Sequence, residues 1–197
     1  TQTDIERRST LAFHLAELVN EADSTMIVAS QHVEELIRLK PNEDIYSRAL
    51  FLQAKMLRHQ AMADSAVKLL YELHSRRSPA WQIEGTLMLA DLLEEKGELI
   101  DAQRFYAEIA DQFTYSRFAD QARYQVVLLM LKQGQYREAE IRLKSEEKEP
   151  IPPEFKRFYP LSQGPESLWL WAELARKTRS PQEGITAMLD YLSGGQV

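Results

Sequence analysis

Residues 81–144 read WQIEGTLMLADLLEEKGELIDAQRFYAEIADQFTYSRFADQARYQVVLLMLKQGQYREAEIRLK, and they state one pattern twice. In the first copy Leu89, Ala90 and Leu93 lead to Gly97 and then to Ala102 and Tyr106; in the second Val126, Val127 and Met130 lead to Gly134 and then to Ala139 and Leu143. Ala90 to Ala102 is 12 residues, and so is Val127 to Ala139. Apolar residues three and four apart mark amphipathic helices, and a glycine between two of them marks a turn. Helices joined by a short turn approach most closely where a side chain is small. An alanine at a fixed offset past the glycine therefore predicts an antiparallel crossing.

Working outward, Ala54 and Ala66 repeat the 12-residue interval in a hairpin expected over about 44–75. Before it, Leu11, Leu15, Leu18, Val19 and Ala22 share the face of a helix expected over 3–22. Asp23-Ser24-Thr25 then offers turn and cap chemistry for a second helix, over about 25–39, that stops at Pro41-Asn42. Ala29, Ala66, Ala102 and Ala139 fall 37, 36 and 37 residues apart. A period of this size predicts a helical solenoid, in which each hairpin buries its apolar faces against its neighbours. The expected organisation is all-α, with four hairpins over 1–144, a proline- and aromatic-rich arm over 145–165 and a degenerate closing hairpin over 166–197, about ten helices in all. The arm carries Phe155, Phe158 and Tyr159 among its prolines, too many aromatics for a flexible linker.

Composition agrees. With 44% hydrophobic residues in 197, the chain can bury a substantial core. Residues 80–149 contain no proline, which suits helices, since an internal proline costs roughly 3 kcal/mol. A net charge of −6 repels a phosphate backbone, so nucleic acid is excluded as an expected partner. The absence of cysteine removes disulfides, thiol catalysis and cysteine-ligated zinc. No apolar run approaches the roughly 18 residues of a membrane span.

The small residue on the first helix (A) of the second, third and fourth hairpins, the Ala-x3-aromatic or aliphatic pattern on the second helix (B), Gly97, Gly134 and Pro41 together resemble the tetratricopeptide repeat (TPR), whereas the first hairpin has Glu17 where the small residue is expected. The resemblance covers most of Leu11–Lys144 and implies a right-handed superhelix of stacked hairpins that binds a partner peptide or protein along a concave groove lined by helix A. The signature Trp and Tyr of helix A are missing, and Ala54, Ala90 and Val127 replace the usual glycine. The period exceeds the family's 34 residues, and Phe113-Thr114-Tyr115-Ser116 followed by Ala122-x-Tyr124 is similar to the BamD/YbgF-like bacterial envelope group. That similarity favours a periplasmic or envelope location over the cytoplasm.

No catalytic constellation stands out. His14, His32, His59 and His74 form no metal spacing, and His32-Val33-Glu34-Glu35 lacks the second histidine of a zincin. There is no phosphate loop and no nucleophile elbow, so neither a cofactor nor an enzymatic activity is expected. Carried over by the alanine alignment, the helix A groove would be lined by Arg48, Phe51, Lys55, Arg58 and His59 in the second hairpin. The third would add Glu84, Leu87, Asp91, Glu94 and Glu95, and the fourth Gln121, Tyr124, Leu128 and Leu131. Such a surface, basic, then acidic, then apolar, suits an extended or helical peptide, although the same residues are equally consistent with an ordinary solvated face. The asparagine of a carboxylate clamp is absent at His14, Leu18, Phe51, Lys55, Leu87, Asp91, Tyr124 and Leu128. The expected function is thus a non-catalytic interaction scaffold; the alternative is a self-associating or positioning repeat domain of a larger chain.

Overall fold

A computed structural model of the chain describes residues 23–39, 42–76, 81–114, 116–146 and 165–178, with the single positions 4, 7, 9, 10, 182, 185, 186 and 189. Among these residues there are eight helices and no strand: α1 Asp23–Leu39, α2 Glu43–His59, α3 Ala63–Arg76, α4 Gln82–Glu95, α5 Leu99–Gln112, α6 Arg117–Lys132, α7 Tyr136–Glu146 and α8 Pro165–Thr178. Most of the helix expected over 3–22, of which Asp4, Arg7, Ser9 and Thr10 are described and helical, the arm with Phe155 to Tyr159 and most of the final helix lie outside the described residues. Asp23-Ser24-Thr25, expected as a turn, is already helical. The chain forms two compact units, residues 1–93 and 94–197.

In the first unit α2 packs against both α1 and α3. Its start is set locally: the Asn42 side chain accepts the Ile45 N–H at 3.0 Å, and Glu43 and Asp44 complement the positive end of the helix dipole. Val33 and Leu36 of α1 meet Ala49, Leu52 and Met56 of α2 in one apolar cluster. Ala54 and Ala66, the pair expected at the crossing, are both fully buried. A second close approach joins α3 to α4, where a Cβ on Gly85 would sit 2.7 Å from Leu73 Cδ2. That contact explains a glycine in mid-helix, which otherwise costs about 1 kcal/mol relative to alanine. At the other end of the hairpin, Tyr46 Oη donates to Glu72 Oε1 at 2.8 Å and the Arg76 guanidinium lies 4.2 Å over the Tyr46 ring. Arg76 also holds Glu43 at 3.0 and 3.1 Å, tying the start of α2 to the end of α3. Burial first, and then the Glu72 carboxylate, raise the Tyr46 pKa and keep the phenol a donor.

In the second unit α5 packs on α6, α6 on α7, and α8 on both α6 and α7. Ala102 and Ala139 are fully buried, as is Val127 on helix A of the fourth hairpin. The loop before α6 is built by two side chains. Ser116 accepts the Ala119 N–H at 3.2 Å, and the buried Arg123 reaches back to the Thr114 carbonyl at 2.9 Å while pairing with Asp120 at 3.2 Å. Three amides close a ring at the turn end of the hairpins. Gln103 donates to Gln135 at 3.3 Å, Gln135 to Gln133 at 3.5 Å and Gln133 to Gln103 at 2.6 Å.

The turns inside the hairpins, 60–62, 96–98 and 133–135, all have three residues, whereas the connections between hairpins vary from three to five. The constant turns follow from one capping geometry. Gly97 and Gly134 have φ of +80° and +75°, and their N–H groups bond the carbonyls of Glu94 and Leu131 at 2.9 and 3.2 Å. Ala61 occupies the same place in the second hairpin at φ +58°. Its N–H bonds the Arg58 carbonyl, and the Met62 N–H bonds the Leu57 carbonyl, a Schellman cap built without glycine.

Candidate partner-binding surfaces

Arg48, Phe51, Lys55 and Arg58 recur at helical spacing along one stripe of α2. Phe51 stacks on Trp81, just ahead of α4, with ring centroids 5.2 Å apart and 30° between planes. The Arg48 guanidinium lies 5.9 Å from the centre of the Trp81 ring, within cation–π range. Lys55 is exposed. Arg58 Nη1 stands 3.9 Å from Asp91 Oδ2 of α4, and their side chains keep 36% and 29% of their surface exposed. A pair so open to water contributes about 1 kcal/mol or less. The result is a half-buried aromatic platform with cations on either side. His59 is exposed at the end of the stripe, and Glu84 and Leu87 are half-buried on α4.

Within residues 94–197 the expected surface is more committed to the fold. Glu94 accepts from Tyr106 Oη at 3.3 Å and from Lys132 Nζ at 2.7 Å, so it joins the start of this unit to α5 and α6. Glu95 and Gln121 are exposed. Tyr124 and Leu128 are half-buried and pack against a core made by Val127, Ala139, Leu143, Leu170 and Leu174. The Tyr124 ring tilts against Trp169 of α8 at 6.3 Å. Leu131, expected on the open groove, is instead buried at 5% exposure in the same cluster as Leu170 and Leu174 of α8, and it offers no open surface.

Trp81 and Trp169 are the residues that sequence reasoning passed over. Each packs on a helix A residue three positions before the buried small one, Phe51 before Ala54 and Tyr124 before Val127. The usable signal was an aromatic at that offset, which calls for a flat partner.

No three histidines, aspartates or glutamates among the described residues could hold a metal together, and no described helix is long and apolar enough to cross a membrane.

Helical hairpins of this kind occur in known structures, to which this chain is similar in shape. It is similar to the crystal structure of a putative kinesin light chain from Podosopora anserina with nearly identical TPR-like repeats. The identity is 14%, 100% of this chain and 98% of that one are covered, and the TM-score is 0.58. The fold is TPR-like. A glutamine-to-methionine variant of the same fungal protein gives a TM-score of 0.61 at 14% identity, covering 98% of this chain and 94% of that one. No protein-family model matches, and no curated protein matches. The TPR-like architecture therefore rests on shape with little shared sequence, as expected when a repeat needs only small residues at crossings and apolar ones around them.

Proposed function

We propose that this chain is a non-catalytic protein-binding scaffold that takes a partner peptide or protein along the helix A faces of its TPR-like hairpins. The carrying observation is the α2 stripe, where Phe51 stacked on Trp81 is flanked by Arg48, Lys55 and Arg58. An aromatic platform gives contact area at low entropic cost, and surrounding cations give orientation and encounter rate. Within residues 94–197, taken by themselves, the half-buried Tyr124 and Leu128 are the residues offered to a partner; Leu131 is not. The compartment proposed with this function is the bacterial cell envelope, on the strength of the long repeat and the Phe113–Tyr124 stretch alone.

The test is a pull-down with Arg58→Glu combined with Asp91→Lys. Because the two residues already pair, the double exchange keeps an ion pair in place while inverting the charge order along the face. Loss of a partner captured by the wild type supports the stripe; equal capture by both proteins overturns it.

A second reading, a self-associating or positioning repeat domain of a larger chain, draws on Ile185 and Leu189. They lie one helical turn apart and are 50% and 59% exposed. A sedimentation profile independent of concentration removes self-association.

A further inference from the structure

The side of α2 opposite the partner-binding stripe carries a different surface. At about 100° per residue, Gln53 and Leu57 lie roughly 140–180° around the helix from Arg48. There α1, α2 and α3 enclose an open cavity of about 440 Å³. This volume falls in the range of small-molecule sites, roughly 300–1,000 Å³. Its apolar lining is Ile37, Leu57, Leu69 and Met62. Met62 is 49% exposed, and methionine adapts its shape to what it touches.

The polar lining sorts by what is already engaged. Glu34 accepts from the Gln53 side-chain amide at 3.1 Å, and Gln53 is itself buried at 3% exposure. Arg38 and Lys68 are exposed at the rim, and neither has an ion-pair partner among the described residues. A neutral amide does not cancel the Glu34 charge, so the lining carries two cations and one carboxylate, a net excess of positive charge in a chain whose net charge is −6.

The turn beside the cavity points the same way. Met62 follows Ala61, the one non-glycine residue with positive φ among those described. At the place of Met62 the other two hairpins carry Glu98 and Gln135, both polar. An exposed apolar residue at this turn alone, set beside the cavity by a left-handed alanine, is a local departure from the repeat, and such departures gather at binding sites.

We propose that this cavity binds an alkyl carboxylate, with its chain against Ile37, Leu57, Met62 and Leu69 and its head group between Arg38 and Lys68. Two cations match a single anionic head, and charge-assisted hydrogen bonds to it set the sign of the preferred ligand.

The experiment titrates the full chain with decanoate, below the concentration at which it forms micelles, and follows backbone amide resonances. The expected result is saturable one-to-one binding with shifts at Ile37, Met62 and Leu69. Decanol and decyltrimethylammonium should bind about tenfold more weakly or worse. Met62→Glu, and Arg38→Glu combined with Lys68→Glu, should each lose about tenfold or more of the affinity while keeping the wild-type melting temperature, because all three side chains are exposed. Arg137→Glu, exposed on α7 and assigned to neither binding surface, should leave the decanoate affinity unchanged. Non-saturating shifts, equal binding of decyltrimethylammonium, or undiminished affinity in the variants would each overturn the proposal.

Discussion

The N–H of Ala61 bonds the carbonyl of Arg58 at 3.0 Å from a left-handed backbone, the conformation that Gly97 and Gly134 adopt in the next two hairpins. A Cβ in this region crowds the carbonyl oxygen and costs roughly 1–2 kcal/mol, partly offset by the smaller freedom of alanine in the unfolded chain. Ala61→Gly is expected to stabilise by about 0.5–1 kcal/mol, read from urea unfolding. Gly97→Ala and Gly134→Ala should destabilise by a similar amount. No atom lies within 4 Å of a Cβ added at either place, so the backbone alone decides these two changes.

Ala102 and Ala139 have no exposed surface. Ala102→Leu or Ala139→Leu should destabilise by about 1–3 kcal/mol, since added methylenes at a helix crossing force the hairpin apart. Unchanged thermal melting would remove both alanines from the crossings.

Arg123 is buried, and its removal takes away the donors that meet the Thr114 carbonyl and the Asp120 carboxylate, which is 12% exposed. Arg123→Ala is expected to cost about 3 kcal/mol. Hydrogen exchange should quicken first at Ala119, whose N–H is capped by Ser116 in the same loop. Arg123→Lys should recover little, because one ammonium does not reproduce the guanidinium fork.

The Arg176 side chain bonds Glu173 and holds the Glu173 carboxyl below its ordinary value of 4.5. A carboxylate whose pKa is lowered by folding stabilises the native state above the unfolded value, and that contribution disappears as pH falls through the lowered one. Glu173→Gln should therefore melt earlier than wild type at pH 7, with the gap closing as the pH drops below 4.5. A gap of constant size down to pH 3 would assign the difference to packing.

The hairpins were legible because a small residue at a crossing is a local, repeated demand, and Ala54, Ala66, Ala102 and Ala139 each meet it. The turns were legible only where glycine filled them. Ala61 makes the same turn, but alanine carries no mark of a left-handed backbone. The α2 stripe could be placed from the register of Ala54 alone. The aromatic Phe51 signals a flat partner there, but which residue supplies it, Trp81, depends on how α4 enters. Leu131 was misplaced for a similar reason: it shares a buried cluster with Leu170 and Leu174 of α8, and no residue near Leu131 announces a helix arriving from beyond Pro165. Glu94 shows the same limit, since its bonds to Tyr106 and Lys132 come from α5 and α6.

The closed ring of Gln103, Gln135 and Gln133 joins α5 to the turn between α6 and α7 with uncharged groups only. Counter-ions have nothing there to screen, and acid or alkali has nothing to titrate. That seam should hold in brine as it does in dilute buffer, while the ion pairs on the neighbouring helix faces weaken around it.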